Sequence, residues 1–344
     1  MCVSGGRWPP LLAEIFTPDL FAAAIRLATP IALAAMGASI CERSGIVNIA
    51  MEGLMLVGAF GGVVAALLSG SIWVGFFAAI LASCLFAALH AFASINLRAD
   101  QVVSGTAINI LAVGLTGFLV EMIFLHPGNV GLSDSALAQT VMHHPVAVVN
   151  SIGPVFNFPS GGTGFFATLW DWINTILFSY TPIVYVGMFA AVFLTWALFK
   201  TRWGLRLRAL GEHPKAADTV GIDVLRGRWI AVLISGVMAR LAGANLSLEQ
   251  VGGFSDSMTN GRGFIALAAN IFGRWIPGGG YLASLLFGFA DALQLKLQIF
   301  SDVIKIPPQF FLMLPYVLTL VVLAGVVGKA VAPAALGKPY RSKG

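Results

Sequence analysis

The chain has 344 residues, 58% of them hydrophobic and only 10% charged, with a mean hydropathy of +0.88 and a net charge of +5. A soluble domain carries about 25% charged residues, so a chain this apolar cannot cover itself with a wetted surface. The positive charge sits in loops without a basic, aromatic-interleaved stripe, which argues against a nucleic-acid partner. Cys2, Cys41 and Cys84 are scattered without CxxC or metal-ligand spacing, which predicts plain thiols and no metal site.

The N-terminal segment 1–19 holds Arg7, Pro9, Pro10, Glu14 and Asp19 and does not read as a cleavable signal peptide. With only Met1 ahead of it, Cys2 does not read as a lipoprotein site either. Apolar blocks follow at 20–41, 46–68, 72–95 and 101–124. Each suffices for about 30 Å of hydrocarbon at about 1.5 Å per helical residue. A transmembrane barrel shows short alternating segments instead, so the expected fold is an all-α, polytopic membrane protein. The 125–174 stretch is rich in Gly, Pro, Ser and Asn, and no Lys or Arg occurs between Arg98 and Lys200. It is expected to be an extracytoplasmic loop. Its His126, His143 and His144 lack a completing ligand set and read as loop residues.

Further blocks lie at 175–199, 228–250, 279–299 and 309–328, with a shorter one at 263–275. That gives eight or nine spans in one transmembrane domain, 20–330, including a short or broken segment. The 200–228 loop carries Arg202, Arg206, Arg208, Lys215 and Arg226, and the 331–344 tail carries Lys338, Arg341 and Lys343 beside Lys329. Both belong on the cytoplasmic side. Strict alternation then puts the N-terminus outside. Ser44–Gly62 and Thr259–Gly279 echo each other, each passing from a polar Gly-containing start to a Gly-rich end. Two pseudo-repeated halves follow, and Gly-interrupted repeats point to a pathway near the midplane. Close packing of glycines is the competing explanation.

Polar residues inside spans are costly and need a reason. Asn48 and Glu52 lie in the first echo at i and i+4 and are expected to share one helical face. Asn109, Asn245, Glu249, Asn260 and Asn270 join them as candidates for a translocation pathway, against the alternative of helix–helix hydrogen bonds. In the basic loop Gly211 is expected to break one helix. Pro214 then suits the first turn of a short second one, which Gly221 stops.

That loop reads GxxPxAAxxxGI through Gly211, Pro214, Ala216, Ala217, Gly221 and Ile222. It resembles the coupling-helix motif of ABC importer permeases of the branched-chain amino-acid and ribose type. ERSGIVNIAMEG (Glu42–Gly53), LRADQVVSG (Leu97–Gly105), Met258–Gly279, Gly288–Gln298 and Pro307–Gly325 resemble the nucleoside or simple-sugar permease subfamily. The likeness runs from about residue 24 to 341. It implies a multi-pass protein of a bacterial or archaeal cell (inner) membrane that imports nucleosides or related simple sugars. It implies three partners: a cytoplasmic ABC ATPase, a second permease that is homologous or identical, and an extracytoplasmic substrate-binding protein. Gly211, Glu212, His213, Pro214, Lys215, Ala216, Ala217, Gly221 and Ile222 would dock on the ATPase. ATP and Mg would be bound there, with no cofactor and no catalytic residue in this chain. Gly325–Ala330 lacks the spacing and the Ser or Thr of a phosphate loop.

Two residues depart from the family pattern. His213 replaces a common Asn, and Arg240 replaces a small residue. Two other classes compete with the importer. One is an ion-coupled secondary transporter or channel using Glu52, Glu121, Glu249 and Asp291. The other is a membrane-embedded enzyme, for which no Ser-His-Asp set stands out.

Overall fold

The computed structural model describes residues 14–125, 154–156, 158, 165–300, 307–325 and 330–341. Cys2, the three loop histidines, most of the 125–174 loop, Lys329 and Lys343 lie outside the described residues. No strand occurs among those described. The first half comprises α1 (Pro18–Arg43), α2 (Met51–Ser69), α3 (Ile72–Ala91) and α4 (Gln101–Val120). α3 and α4 run on as π-helical turns, Phe92–Asn96 and Glu121–Leu125. Next come α5 (Phe165–Leu177), α6 (Pro182–Lys200), α7 (Arg202–Glu212) and α8 (Pro214–Thr219). The second half holds α9 (Val224–Ala244) with its π extension Asn245–Val251, then α10 (Arg262–Phe272) and α11 (Pro277–Ile299). α12 (Pro308–Leu312) and α13 (Leu314–Gly325) end it.

Seven helical segments among the described residues are long and apolar enough to span a bilayer, and α10, at 11 residues, is not. This matches the expected mix of full spans and one short segment. Three boundaries differ from the sequence expectation. α2 starts at Met51 rather than 46, because Gly45 turns the chain at φ +95° and residues 46–50 stay non-helical. The 175–199 block is split: α5 runs out of the stretch read as loop and ends at Leu177, and α6 starts at Pro182 after an extended Thr181. The 309–328 block is described to Gly325 as two helices, because Pro315 has no N–H to continue the hydrogen-bond ladder.

α1, α2 and α9 form the centre. α1 contributes Ile31, Leu33, Met36 and Ile40, all fully buried. Around them α3, α4 and α6 expose Phe77, Leu81, Ile110, Phe189 and Val192, a surface suited to lipid rather than water. Pro30 lies inside α1 and cannot donate to the carbonyl of Arg26. Gln250, from the π extension of α9, donates to that carbonyl instead at 3.0 Å.

Lipid tails are as apolar as the helices, so close backbone approach rather than hydrophobic exclusion holds such bundles together. Gly243 of α9 shows the demand, since a Cβ there would lie 2.2 Å from the carbonyl oxygen of Met55. Gly243→Val is therefore expected to separate α9 from α2 and cost roughly 2–3 kcal/mol. Gly114→Ala, at an exposed position of α4 with open space around it, should leave stability unchanged. Thermal unfolding in detergent checks both.

Candidate functional site

Two non-helical breaks lie among the membrane-spanning helices. Backbone polar groups at such depth must be satisfied by protein, and side chains from distant helices do this. At the first break, residues 46–50, Val47 N–H donates to Gln101 Oε1 at 2.7 Å. His90 Nε2 lies 3.0 Å from the Val47 carbonyl. Asn109 ties the break to the first turn of α2, its Nδ2 donating to Ile49 O at 2.9 Å and its Oδ1 accepting from Gly53 N–H at 2.8 Å. Asn48 donates to Ser235 of α9 at 2.8 Å. Because Asn48 precedes the helix, it does not share a helical face with Glu52, contrary to the expectation from spacing.

The second break comprises residues 252–261 and 273–276, on either side of α10. The Glu52 carboxylate accepts from Gly261 N–H at 2.8 Å and from Gly263 N–H at 2.6 Å. A negative charge at a helix N-terminus is favourable in itself. A Cβ on Gly263 would sit 2.5 Å from Glu52 Cα, so glycine is what allows the approach. At the other end of α10, Asn270 donates to Glu42 Oε2 at 2.9 Å and accepts from Ser39 at 2.7 Å. Trp275 Nε1 donates to the same Glu42 oxygen. Arg43 donates to the carbonyls of Trp275 at 2.8 Å and Arg274 at 3.0 Å. Both of those residues have positive φ, +57° for Arg274 and +55° for Trp275, a costly conformation outside glycine. The echoing stretches thus meet, with Glu52 from one holding the start of α10 in the other. Glu42 was missed as a site residue; its signal was a carboxylate beside an arginine at the end of a buried helix.

The remaining candidates lie elsewhere. Glu249 accepts from Thr181 Oγ1 at 2.6 Å, Asn245 Nδ2 at 2.7 Å and Ile183 N–H at 3.1 Å. Asn245 and Glu249 line a cavity of about 580 Å³ with Arg26 and Gln250. Asn260 is exposed and lines a different cavity, of about 600 Å³, with Arg262, Phe264, Asp291 and Gln294. The seven pathway candidates therefore occupy separate places rather than one pocket. Arg240, the departure in α9, is fully buried with its guanidinium 4.2 Å from the Phe76 ring centroid. None of its nitrogens has a hydrogen-bond partner among the described residues. Cation–π attraction offsets part of its desolvation, and Gly58 leaves room for it.

The basic loop folds as a helical pair. α7 runs through Gly211, and the break falls at His213 (φ −138°, ψ 72°) rather than at the glycine. Gly211 has a packing role instead, since a Cβ there would lie 2.3 Å from the Arg43 carbonyl oxygen. Pro214 opens α8. Gly221, at φ +78°, closes it with Gly221 N–H on Asp218 O and Ile222 N–H on Ala217 O, both 3.0 Å, the Schellman pattern. Ala217 is buried with Leu210, Val224 and Tyr340, and Ile222 packs on them. His213, Lys215, Ala216, Thr219 and Val220 face outward, making a firmly held knob. Glu212 accepts from Ala334 N–H at 3.2 Å and lies 3.9 Å from Arg43. The Tyr340 hydroxyl donates to Asp218 at 2.6 Å, and this bond to a carboxylate holds the phenol's pKa above its usual range.

Among the described residues, a bundle of apolar helices with internal breaks and a rigid helical knob at a basic end defines a multi-pass membrane protein. It belongs to the family described as branched-chain amino acid transport system / permease component, which matches residues 20–323. The chain is 41% identical over 323 residues to the guanosine ABC transporter permease protein NupQ of Bacillus subtilis, covering 91% of this chain and 93% of that one. It is 38% identical over 319 residues to the nucleoside ABC transporter permease protein NupC of Lactococcus lactis, with the same coverage of each. A chain of an inward-facing ABC transporter of metal-chelate type shares the fold, with a TM-score of 0.50 at 16% identity over 94% of this chain and 92% of that one. This protein is an ABC-type permease and a transport subunit, not an enzyme.

Glu52→Ala strands the buried Gly263 N–H and the half-buried Gly261 N–H and should cost about 2–4 kcal/mol. Thermal unfolding of the purified variant measures this. An unchanged Tm would mean that the cap contributes nothing to stability.

Proposed function

We propose that this chain forms the pathway of an ATP-driven nucleoside importer. It would work with a cytoplasmic ABC ATPase that binds ATP and Mg, a second permease, identical or homologous, and an extracytoplasmic substrate-binding protein. The observation that carries the coupling part is the knob. Residues 211–222 present a rigid, outward face at the basic end, which the positive-inside rule makes cytoplasmic. Gly211 and Glu212 lie directly against Arg43, which holds the α10–α11 turn. A push on α8 thus has a short route to the break among the spans. The nucleoside part is supported by NupQ and NupC, named for guanosine and nucleosides. Asn260, Arg262, Asp291 and Gln294 around one cavity supply groups suited to ribose hydroxyls and base edges. In this reading Asn48, Glu52, Asn109 and Asn270 shape the pathway by holding its breaks, while Asn245, Glu249 and Asn260 line cavities along it.

The test uses exposed positions that leave the fold intact. Ala216→Glu with Val220→Glu should reduce uptake of labelled guanosine more than about tenfold, because burying unpaired charge in a docked face is costly. The amount of permease in the membrane should not change. Excess unlabelled uridine should compete with guanosine and excess ribose should not. Uptake that survives ATP depletion and collapses with an uncoupler would instead establish an ion-coupled transporter.

A further inference from the structure

The tail beyond α13 is built into the basic end of the protein. Ala335 N–H donates to Gly211 O at 2.8 Å, and Gly337 N–H donates to Gly45 O at 3.1 Å. Arg228, 2% exposed, donates to Ser44 O at 3.1 Å and to Lys338 O at 3.2 Å. Its guanidinium also lies 6.0 Å from the Tyr340 ring centroid. Tyr340 is 7% exposed and bonded to Asp218 of α8. Segment 333–341 is therefore a fixed wall, held from four directions.

Between this wall, α8 and the turn before α4 lies a cleft of about 1150 Å³. Arg98, Lys215, Lys338 and Arg341 line it, with Asp218 as the one carboxylate among the described residues. Asp218 already accepts the Tyr340 hydroxyl. Asp100, the nearest acid to Arg98 in sequence, accepts from Val102 and Val103 N–H at the start of α4. Arg98 is held at φ +57°, strain of the kind found where a side chain must be aimed. The cleft thus presents four cations against one occupied carboxylate, and it shares Lys215 with the knob.

We propose that the docking surface for the ATPase is composite: α8 supplies the knob, and the tail supplies the opposite wall of a basic cleft that takes an acidic segment of the ATPase. This rests on the reading of the chain as an ABC permease with a cytoplasmic ATPase. The basic lining selects an acidic occupant, and continuity with α8, which lends Lys215 to the cleft, favours the ATPase over a lipid headgroup.

The test uses the full chain co-expressed with its ATPase and reconstituted in vesicles of phosphatidylcholine alone, or with phosphatidylglycerol added. Lys338→Glu with Arg341→Glu should weaken retention of the ATPase at least about tenfold and flatten its dependence on salt, in both vesicle types. Tyr340→Phe, which unties the wall from α8, should weaken retention to a smaller degree. Arg226→Glu reverses a charge at the same end but outside the cleft and should retain the ATPase. If the double variant does not reach the membrane, Lys338→Gln with Arg341→Gln carries the same expectation. Wild-type retention and salt dependence in the reversed variant would overturn the proposal. So would a defect confined to vesicles with phosphatidylglycerol, which would make the cleft a lipid site. A wild-type chain that holds no ATPase would overturn both this proposal and the reading beneath it.

Discussion

Four consecutive residues, Glu42 to Gly45, satisfy the polar demands of most of one end of the protein. In hydrocarbon an unpaired backbone group costs several kcal/mol, so a chain that breaks its helices inside a bundle must bring partners to each break. Glu42 takes the side chains of Asn270 and Trp275, and Arg43 takes the carbonyls of Arg274 and Trp275. Ser44 O accepts from Arg228, and Gly45 O accepts from the tail. The end of α1 therefore joins α9, α10, the start of α11 and the tail. Those elements could not keep their present turns without it.

The same junction explains several residue types that look unrelated. Gly45 turns the chain at positive φ, and Gly211 lets α7 lie against the Arg43 carbonyl. The positive φ of Arg274 and Trp275 would be lost strain in isolation, but Arg43 binds both carbonyls and Glu42 holds the indole. α10 is in this way fixed at its C-terminal side by α1 and at its N-terminal side by Glu52 of α2. A short helix that cannot span the bilayer is held in place by two that can.

The spans were legible because hydropathy is local, and the short α10 was legible because its apolar run is short. The helical pair at 202–219 was legible from Pro214 and Gly221. What sequence order could not show is who satisfies whom. Asn109 bonds to Ile49 and Gly53, and Glu52 bonds to Gly261 and Gly263, separations that no window covers. The helical face assumed for Asn48 and Glu52 failed because Gly45 and the side chains of Gln101, His90 and Asn109 make a non-helical 46–50 stable. Gly211 was misread as a breaker because its crowding comes from Arg43, far away in sequence. α5 was hidden because it lies in a stretch whose average composition is that of a loop.

An intramembrane polar residue is therefore not in itself evidence of a route for solute. Its remaining hydrogen-bonding capacity separates the cases. Asn109 donates and accepts within the protein and is 8% exposed, and both oxygens of Glu52, 9% exposed, accept from the start of α10, so each meets its main partners inside the protein and offers a passing ligand little surface. Turning either side chain toward a solute would break the bonds that hold the break in shape, at a cost of the same order as the gain. Asn260, Arg262, Asp291 and Gln294 are different, since they share the wall of an open cavity. On the proposed reading, the groups open to a solute beside α10 belong to this second set. The first set holds the breaks in shape, Asn109 at Ile49 and Gly53 and Glu52 at the start of α10.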